Sequence, residues 1–126
     1  MDDKPLKTYL DGWSRICNST PETLGWMLEG AHPDMRFSDV NSPNVHSGHD
    51  GVRRLNELAT GKYPDAAITT RDLLFDGTNW SIRWTMTGTR PDGSAFSREG
   101  ASAGNVAEDG RVIEHTDYWS RGDAAG

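Results

Sequence analysis

The segment RVIEHTDYW (residues 111–119) alternates in the manner of a β-strand and carries an unusual set of side chains on one parity. Successive side chains of a strand point to opposite sides of the sheet. One face of this strand therefore carries Ile113, His115, Asp117 and Trp119. Because an isoleucine and an indole belong in a core, we predict that this face points inward and that it brings an acid and an imidazole with it.

Three earlier segments also have sequences typical of β-strands: AAITTRDLLFD (66–76), NWSIRWTMTGTR (79–90) and AFSREGASAGNV (95–106). The short sequences GT, PDG and EDG that separate the four segments are typical of hairpin turns. We therefore predict four long antiparallel strands. In the second segment the apolar parity must be the inner one; it consists of Trp80, Ile82, Trp84 and Met86.

The N-terminal half has helical periodicity instead. Apolar residues recur at steps of three and four from Leu6 to Cys17, which predicts a first helix over residues 5–17. STPE (19–22) has the pattern of a capping box and opens a second helix that Gly30 and Pro33 end. SGHD (47–50) caps a third helix, and Gly61 stops it. The inner face of that third helix is predicted to hold Val52, Leu55, Leu58 and Ala59.

Between the second and third helices we predict a short strand over residues 35–40, followed by a loop over residues 41–48. Three helices followed by a curved antiparallel or mixed sheet give an α+β cone whose concave face the helices cover. The chain is expected to be one domain over residues 1–126, with its core in 6–119 and a frayed tail at 120–126.

The composition of the chain limits the classes of molecule that it can bind. The net charge of −6, with 19 acidic and 13 scattered basic residues, argues against nucleic acid. A lone cysteine, Cys17, excludes an intramolecular disulfide and argues against structural zinc, and no histidine spacing suits a metal. No signal peptide or apolar span is evident, so we expect a soluble cytoplasmic protein with no membrane partner.

Three segments resemble a known family: RFSDVNSPNVHSGHDGVRRL (36–55), RWTMTGT (83–89) and EDGRVIEHTDYW (108–119). They are similar to those of SnoaL-like polyketide cyclases, which belong to the nuclear transport factor-like superfamily with ketosteroid isomerases and limonene epoxide hydrolases. The likeness extends from Leu6 to Trp119. It implies a cone-shaped pocket, catalysis without metal or organic cofactor, and a homodimer formed through the outer face of the sheet.

The resemblance also implies roles for individual residues. Asp117 matches the cyclase aspartate that removes a proton, with His115 nearby to orient a carbonyl. Asp39 matches the isomerase base, and Tyr9 matches the oxyanion-hole tyrosine. Ser102 falls where isomerases carry a protonated acid, so steroid isomerisation by that mechanism is not expected.

The same match assigns an inner face to the strand over residues 95–106. If Ser102 points into the pocket, so do the residues of its parity; they are Phe96, Arg98 and Gly100. The small residues of GASAG (100–104) would leave room above an intact strand, and the alternative is a bulge or bend.

Each candidate has a structural interpretation beside the functional one. A carboxylate next to Trp and Ile is poorly solvated, which favours a general base at Asp117, but the same residue could form a stabilising pair with His115 or Arg98. Without Asp117 beside it, His115 would be interpreted as a hydrogen-bonded core histidine. Asp39 and Asn41 could simply form a turn. Asp39 and Asp117, on opposite walls of the pocket, would suit acid/base chemistry only if their environments push their proton affinities apart.

The remaining candidates would bind the ligand: Trp13, Asn41, His46, Trp84, Arg98, Ser102 and Trp119. Trp13, Trp84 and Trp119 suit a flat or polycyclic molecule, although core filling explains them equally well, and His46 could edge the pocket. The favoured hypothesis is a cofactor-independent cyclase or isomerase acting on a small hydrophobic oxygenated ligand. The alternatives are a non-catalytic binding or dimerisation module and an epoxide hydrolase-like activity. An open aromatic pocket with Asp117 partly unpaired favours an enzyme, whereas a filled cone with Asp117 neutralised by a buried arginine favours a structural module.

Overall fold

The computed structural model describes residues 2–120, which include every element predicted above; the tail beyond Ser120 lies outside them. The helices are α1 (Lys4–Trp13), α2 (Pro21–Gly30) and α3 (Gly48–Ala59), with a 3-10 turn at Ile16–Asn18. The strands are β1 (Ala31–Asp39), β2 (Val45–Ser47), β3 (Ala67–Phe75), β4 (Asn79–Thr89), β5 (Ala95–Val106) and β6 (Val112–Trp119).

Within the described residues six strands form one sheet in the order β2-β1-β6-β5-β4-β3. Neighbouring strands are antiparallel except β1 and β6, which run parallel. The three helices pack on this mixed sheet, and the predicted α+β cone is confirmed. The parallel pair matters most for the site, because it brings the end of β1 beside the end of β6.

Helix α1 buries the predicted stripe but ends earlier than predicted. The stripe is Leu6, Tyr9, Leu10 and Trp13. The helix stops at Trp13 rather than at Cys17, because the amide of Arg15 bonds the carbonyl of Gly12 at 3.1 Å and tightens the chain into the 3-10 turn. Ile16 and Cys17 are still buried, so the predicted apolar residues face the core even though the chain changes from an α-helix to a 3-10 turn.

Helix α2 begins with a capping box whose members differ from those predicted. Thr20 is the N-cap residue, and Thr23 replaces Glu22 as its reciprocal partner. The Thr20 hydroxyl accepts from the Thr23 amide at 3.2 Å, and Thr23 Oγ1 accepts from the Thr20 amide at 2.9 Å. At the other end, a Cβ on Gly30 would lie 2.6 Å from the Cβ of Tyr9, so only glycine lets α2 approach α1 at this point.

Strand β1 is longer at its start than predicted. It begins at Ala31 rather than Met35 and ends at Asp39 rather than Val40. Its pairing with β6 is irregular between Ala31 and Arg36. Pro33 lies in this stretch and has no amide hydrogen for the ladder, which explains the irregularity.

The predicted loop over residues 41–48 contains the short strand β2, which pairs with β1. Three residues are too few to show periodicity in a sequence. Helix α3 presents the predicted inner face: Val52 is buried, Leu55 and Ala59 pack against the core, and Leu58 lies on the same side but is 49% exposed. The polar Asn56 is also buried. Asn56 is accommodated because its amide group donates to the carbonyl of Val52 at 2.9 Å.

Strand parity follows the prediction with one exception. Trp80, Ile82 and Trp84 are buried, as are Phe96 and Ser102 on β5. On β6 His115 is buried, but Val112 rather than Ile113 joins the core. The pairing of β5 with β6 shifts between Asn105 and Val106, and this irregularity reverses the parity at the start of β6.

The glycines of β5 do not leave empty space. The strand stays paired with β4 and β6 through residues 100–104, so no bulge interrupts GASAG. A Cβ on Gly100 would lie 2.6 Å from Cη2 of Trp84, which means that the indole lies directly on the glycine backbone. The expectation of room above this stretch is therefore wrong, because Gly100 admits the ring of Trp84.

Candidate active site

A cavity of about 290 Å³ lies between the inner face of the sheet and the helices, close to the size of small-molecule sites. Its apolar lining includes Trp13, Phe37, Tyr63, Trp84, Met86 and Trp119. Charged side chains reach it as well, namely Asp39, Lys62, Arg98 and Asp117. The cone is therefore open, and it combines aromatic surface with charges of both signs.

Asp117 lies on this cavity with only one of its oxygens engaged. Its side chain is 14% exposed. Oδ1 accepts hydrogen bonds from His115 Nε2 at 2.6 Å and from the Ser102 hydroxyl at 2.5 Å. Oδ2 has no hydrogen-bond partner within residues 2–120. The two donors compensate the carboxylate for the water that burial removes, while Oδ2 stays available to a ligand.

His115 lies behind Asp117 and is fully buried. Its Nδ1 is 2.6 Å from the hydroxyl oxygen of Tyr9. A neutral imidazole has one donor and one acceptor, so the two contacts are both satisfied when Tyr9 donates to Nδ1 and Nε2–H donates to Asp117. The ring is surrounded by aromatic neighbours, the nearest being Phe37 with 4.3 Å between ring centroids.

Tyr9 completes this line of hydrogen bonds from helix α1. It is fully buried, and its burial, with a smaller effect of the Asp117 charge, raises the pKa of its phenol well above the usual 10.0. The phenol therefore keeps its proton at neutral pH and acts as a donor to His115. Tyr9, His115 and Asp117 form a chain in which each donor points toward the carboxylate.

A second chain reaches the same oxygen from strand β4. Trp84 Nε1–H donates to the Ser102 hydroxyl at 3.0 Å, and that hydroxyl donates to Asp117. The indole that occupies the space over Gly100 is thus also the residue that orients Ser102. Both chains converge on Oδ1, so they hold the carboxylate in one orientation.

Asp39 lies directly beside Asp117, because the two are register partners in the parallel β1–β6 pair. The expectation that they occupy opposite walls is wrong, since that arrangement needs β1 and β6 to be distant in the sheet. Both oxygens of Asp39 accept from Trp119 Nε1, at 3.0 and 2.9 Å, and Oδ1 also accepts from the Asn41 amide at 2.7 Å. The two neighbouring carboxylates therefore differ: both oxygens of Asp39 accept hydrogen bonds, whereas only Oδ1 of Asp117 does so within residues 2–120.

The structure divides the remaining sequence candidates into two groups. Trp13, His46, Trp84, Arg98 and Trp119 line the cavity with Asp39 and Asp117. The others lie behind the lining or beside it: Tyr9, His115, Ser102 and Asn41. Tyr9 and His115 are both fully buried and connect to the cavity through the hydrogen bonds that end on Asp117. Asn41 instead supports the rim, donating its side-chain amide to the Trp119 carbonyl at 2.7 Å.

Arg98 does not neutralise Asp117. Its guanidinium carbon lies 4.4 Å from the ring centroid of Trp119, and it forms no ion pair within residues 2–120. The arrangement that favoured a structural module, a filled cone with a buried arginine on the acid, is absent from this part of the chain.

Sequence reasoning missed several lining residues. Phe37 and Cys17 carried a signal, since both fall on apolar patterns next to predicted site residues. Lys62 and Tyr63 follow the end of α3, where no periodicity applies. Burial raises the pKa of the Cys17 thiol, and the nearby charges of Lys62 and Arg98 partly oppose that effect.

Within residues 2–120 no cluster of three His, Cys, Asp or Glu side chains is arranged to hold a metal ion. None of the described helices is long and apolar enough to cross a membrane.

The described residues have the cone-shaped α+β fold seen in proteins of the nuclear transport factor 2-like (NTF2-like) type. The chain belongs to the family of SnoaL-like domains, whose sequence pattern it matches over residues 23–115. Among curated proteins, none matches the chain.

Solved structures share the fold at low sequence identity. An NTF2-like protein of unknown function from Exiguobacterium sp. 255-15 is 16% identical, with a TM-score of 0.74 over 93% of this chain and 98% of that one. A Jannaschia sp. CCS1 protein assigned to the SnoaL-like polyketide cyclases is 17% identical, with a TM-score of 0.75 over 91% and 84%. A Mycobacterium tuberculosis protein in complex with estradiol-17beta-hemisuccinate is 11% identical, with a TM-score of 0.72 over 97% and 98%.

Proposed function

We propose that this protein is a cofactor-independent enzyme of the cyclase or isomerase type that moves protons on a small hydrophobic oxygenated molecule. Asp117 is its general base. The observation that carries the proposal concerns Asp117, a carboxylate on an aromatic cavity: two donors hold its Oδ1, and its Oδ2 has no partner among residues 2–120.

The difference between the two neighbouring acids selects Asp117 over Asp39. Trp119 and Asn41 engage both oxygens of Asp39, so a proton transfer there would break existing hydrogen bonds. Oδ2 of Asp117 can accept a proton without disturbing the contacts on Oδ1. Asp39 instead holds the ring of Trp119 in place as part of the cavity lining.

The reaction step follows from this geometry. Oδ2 of Asp117 takes a proton from the carbon next to a carbonyl group, and the electron pair of the broken C–H bond moves into the carbonyl to give an enolate. In an isomerisation the proton on Oδ2 is then returned to another atom of the same molecule. In a cyclisation the enolate carbon attacks a second carbonyl and closes a ring, and the alkoxide that forms takes the proton from Oδ2. His46 lines the same cavity and would donate to the enolate oxygen.

His115 and Tyr9 are positioning residues in this scheme. Neither contacts the cavity, but together they orient Oδ1 and supply a line of donors that responds to the charge on Asp117. The structural relatives support the ligand class, since one is assigned to the polyketide cyclases and another is complexed with a steroid ester. Flat, oxygenated polycyclic molecules suit a cavity lined by three tryptophans.

The test is proton exchange on a model ketone. Proton NMR in D₂O measures how fast the protein exchanges the acidic protons of 2-tetralone. We expect Asp117→Asn to lower the rate by at least about a hundredfold, the usual contribution of a general base. Glu99→Gln, on the exposed side of β5, is the matched control and should exchange like the wild type. An unchanged rate in a folded Asp117→Asn variant would remove the proposed base.

A non-catalytic ligand-binding module is the second candidate, favoured by one observation. The hydrogen bonds that link Tyr9, His115, Asp117, Ser102 and Trp84 also stabilise the core, whatever the cavity binds. This alternative predicts that Asp117→Asn lowers the free energy of unfolding while the wild type exchanges no protons. An epoxide hydrolase-like activity, in which Asp117 activates water, would show as hydrolysis of limonene oxide.

We also propose that the protein is cytoplasmic and forms a homodimer through the outer face of the sheet. Leu74 and Tyr118 are 68% and 49% exposed and belong to the parity opposite the cavity. Large apolar side chains on a sheet face are typical of an interface between subunits.

A further inference from the structure

We propose that the ligand is an acid, and that Arg98 binds its carboxylate at the end of the cavity away from Asp117. This inference rests on the proposed function only in taking Asp117 as the reacting end. It narrows the substrate class from an oxygenated hydrophobic molecule to an elongated aromatic or polycyclic carboxylic acid.

The first observation is that Arg98 has no acceptor for its N–H groups within the described residues. It lines the cavity, forms no ion pair or hydrogen bond within residues 2–120, and its Nε is buried without an acceptor. Arginines on the outer face of the same sheet are paired, Arg71 with Glu99 at 3.1 Å and Arg83 with Asp72 at 3.4 Å. A buried unpaired donor is costly, so the site is complete only when an acceptor binds there.

The second observation is that the guanidinium group is already oriented. It lies over the ring of Trp119 with 4.4 Å from its central carbon to the ring centroid, and Trp119 is itself fixed by Asp39. Stacking engages the face of the guanidinium and leaves its N–H groups at the edge for a bidentate bond. A carboxylate has the matching planar geometry.

The third observation is the distribution of charge along the cavity. On β5 Ser102 is paired with Asp117, and Arg98 lies four residues earlier, a separation of about 13 Å along the strand. Lys62 also lies on the lining, and both cations act on Cys17, which places them at one end. Asp117 repels an anion from its own end of the cavity. An elongated acid is therefore oriented with its carboxylate on Arg98 and its far end near Asp117.

The test compares 2-naphthoate with the neutral 2-naphthamide by isothermal titration calorimetry. The wild type should bind the acid more tightly than the amide. Arg98→Gln should weaken naphthoate binding by roughly tenfold to a hundredfold, as expected for a bond between charged groups, and leave the amide unchanged. Arg83→Gln on the outer face is the matched control and should bind both probes like the wild type.

Three outcomes would overturn the proposal: equal binding of acid and amide to the wild type, equal weakening of both by Arg98→Gln, or no binding of either probe. Thermal melts of each variant show that it is folded. Asp117→Asn separates this inference from the proposed function, because it removes a repelling charge and should keep or strengthen naphthoate binding. If Asp117→Asn abolishes ketone exchange but the wild type binds acid and amide equally, the general base stands and the acid site is refuted. If the wild type prefers the acid but Asp117→Asn leaves ketone exchange unchanged, the acid site stands and the general base is refuted.

Discussion

Asp39 and Asp117 are register partners on the parallel strands β1 and β6, yet their hydrogen-bond environments are opposite. Trp119 and Asn41 occupy both oxygens of Asp39, whereas His115 and Ser102 occupy a single oxygen of Asp117. Two acids can share acid/base chemistry only when their surroundings differ. The residues that create the difference are therefore the ones to change.

Trp119→Phe removes the indole donor from Asp39 and keeps an aromatic ring. We expect the free energy of unfolding to fall by about 1–3 kcal/mol, because a partly buried carboxylate loses its side-chain donor. Urea denaturation measures the change. Trp26→Phe on α2 is the control, since its ring contacts Arg15 by cation–π stacking and its indole N–H has no acceptor within residues 2–120. Equal losses in the two variants would contradict a role for the Asp39 bond.

Tyr9→Phe removes one hydroxyl and leaves Nδ1 of His115 without a donor in a fully buried site. The expected loss of unfolding free energy is about 1–3 kcal/mol, the cost of a buried unsatisfied acceptor. In the ketone exchange assay the variant should lower the rate and keep the same affinity for 2-tetralone, because Tyr9 does not contact the ligand. A weaker affinity at an unchanged rate would refute the positioning role.

Stability should also fall at alkaline pH through Tyr9. Its pKa in the folded protein is raised well above 10.0 by burial, whereas an unfolded tyrosine titrates near 10. Above about pH 10 the unfolded state releases a proton that the folded state retains, so the unfolding free energy decreases by up to about 1.4 kcal/mol per pH unit. The contribution is fully present below that pH and is lost as the pH rises toward the folded pKa.

Urea denaturation at about pH 8 and about pH 11 measures this effect against an unfolded tyrosine pKa near 10. Both the parent and Tyr9→Phe should carry Cys17→Ala, because the buried thiol also has a raised pKa and would contribute in the same range. The parent should lose more stability than Tyr9→Phe between the two conditions. Parallel losses would show that Tyr9 titrates normally.

Gly100→Ala tests the contact between the glycine and the indole of Trp84. The added Cβ would lie 2.6 Å from Cη2, so the ring must move, and we expect a loss of about 1–3 kcal/mol. Gly25→Ala is the matched control: it lies inside α2 with no atom within 4 Å of the added Cβ, and it should stabilise by about 0.5–1 kcal/mol. A neutral Gly100→Ala would mean that the cavity has room on β5 after all.

Tyr118→Glu tests the proposed dimer. It places a charge on the outer face of β6, on the parity opposite Asp117 and Trp119, and should convert a dimer to a monomer without changing the cavity. Light scattering after size-exclusion chromatography gives the mass. Asp109→Asn, in the turn before β6, should leave the mass unchanged. A wild type that elutes as a monomer would refute the proposal directly.

The strands and their inner faces could be predicted because they follow from local patterns. The alternation of Trp80, Ile82 and Trp84 settles which side of β4 is buried, and the turn sequences set where each hairpin reverses. Predictions failed where a local pattern was too short, as at β2, or where a bulge changed parity, as at Val112.

The site likewise has a part that local patterns predict and a part that they do not. Periodicity alone determined that Asp117 and His115 share a face with Trp119, and this was enough to single out Asp117 as a candidate. Only the tertiary structure decided that Asp39 lies beside Asp117, that Tyr9 contacts His115, and that Arg98 lies on Trp119 with no acid partner in the described part of the chain. These contacts join segments distant in the chain, and they depend on the parallel pairing of β1 with β6 and on the close packing of α1 over the sheet. No local spacing encodes such pairings, because the hydrogen bonds that make them form only when the whole cone closes.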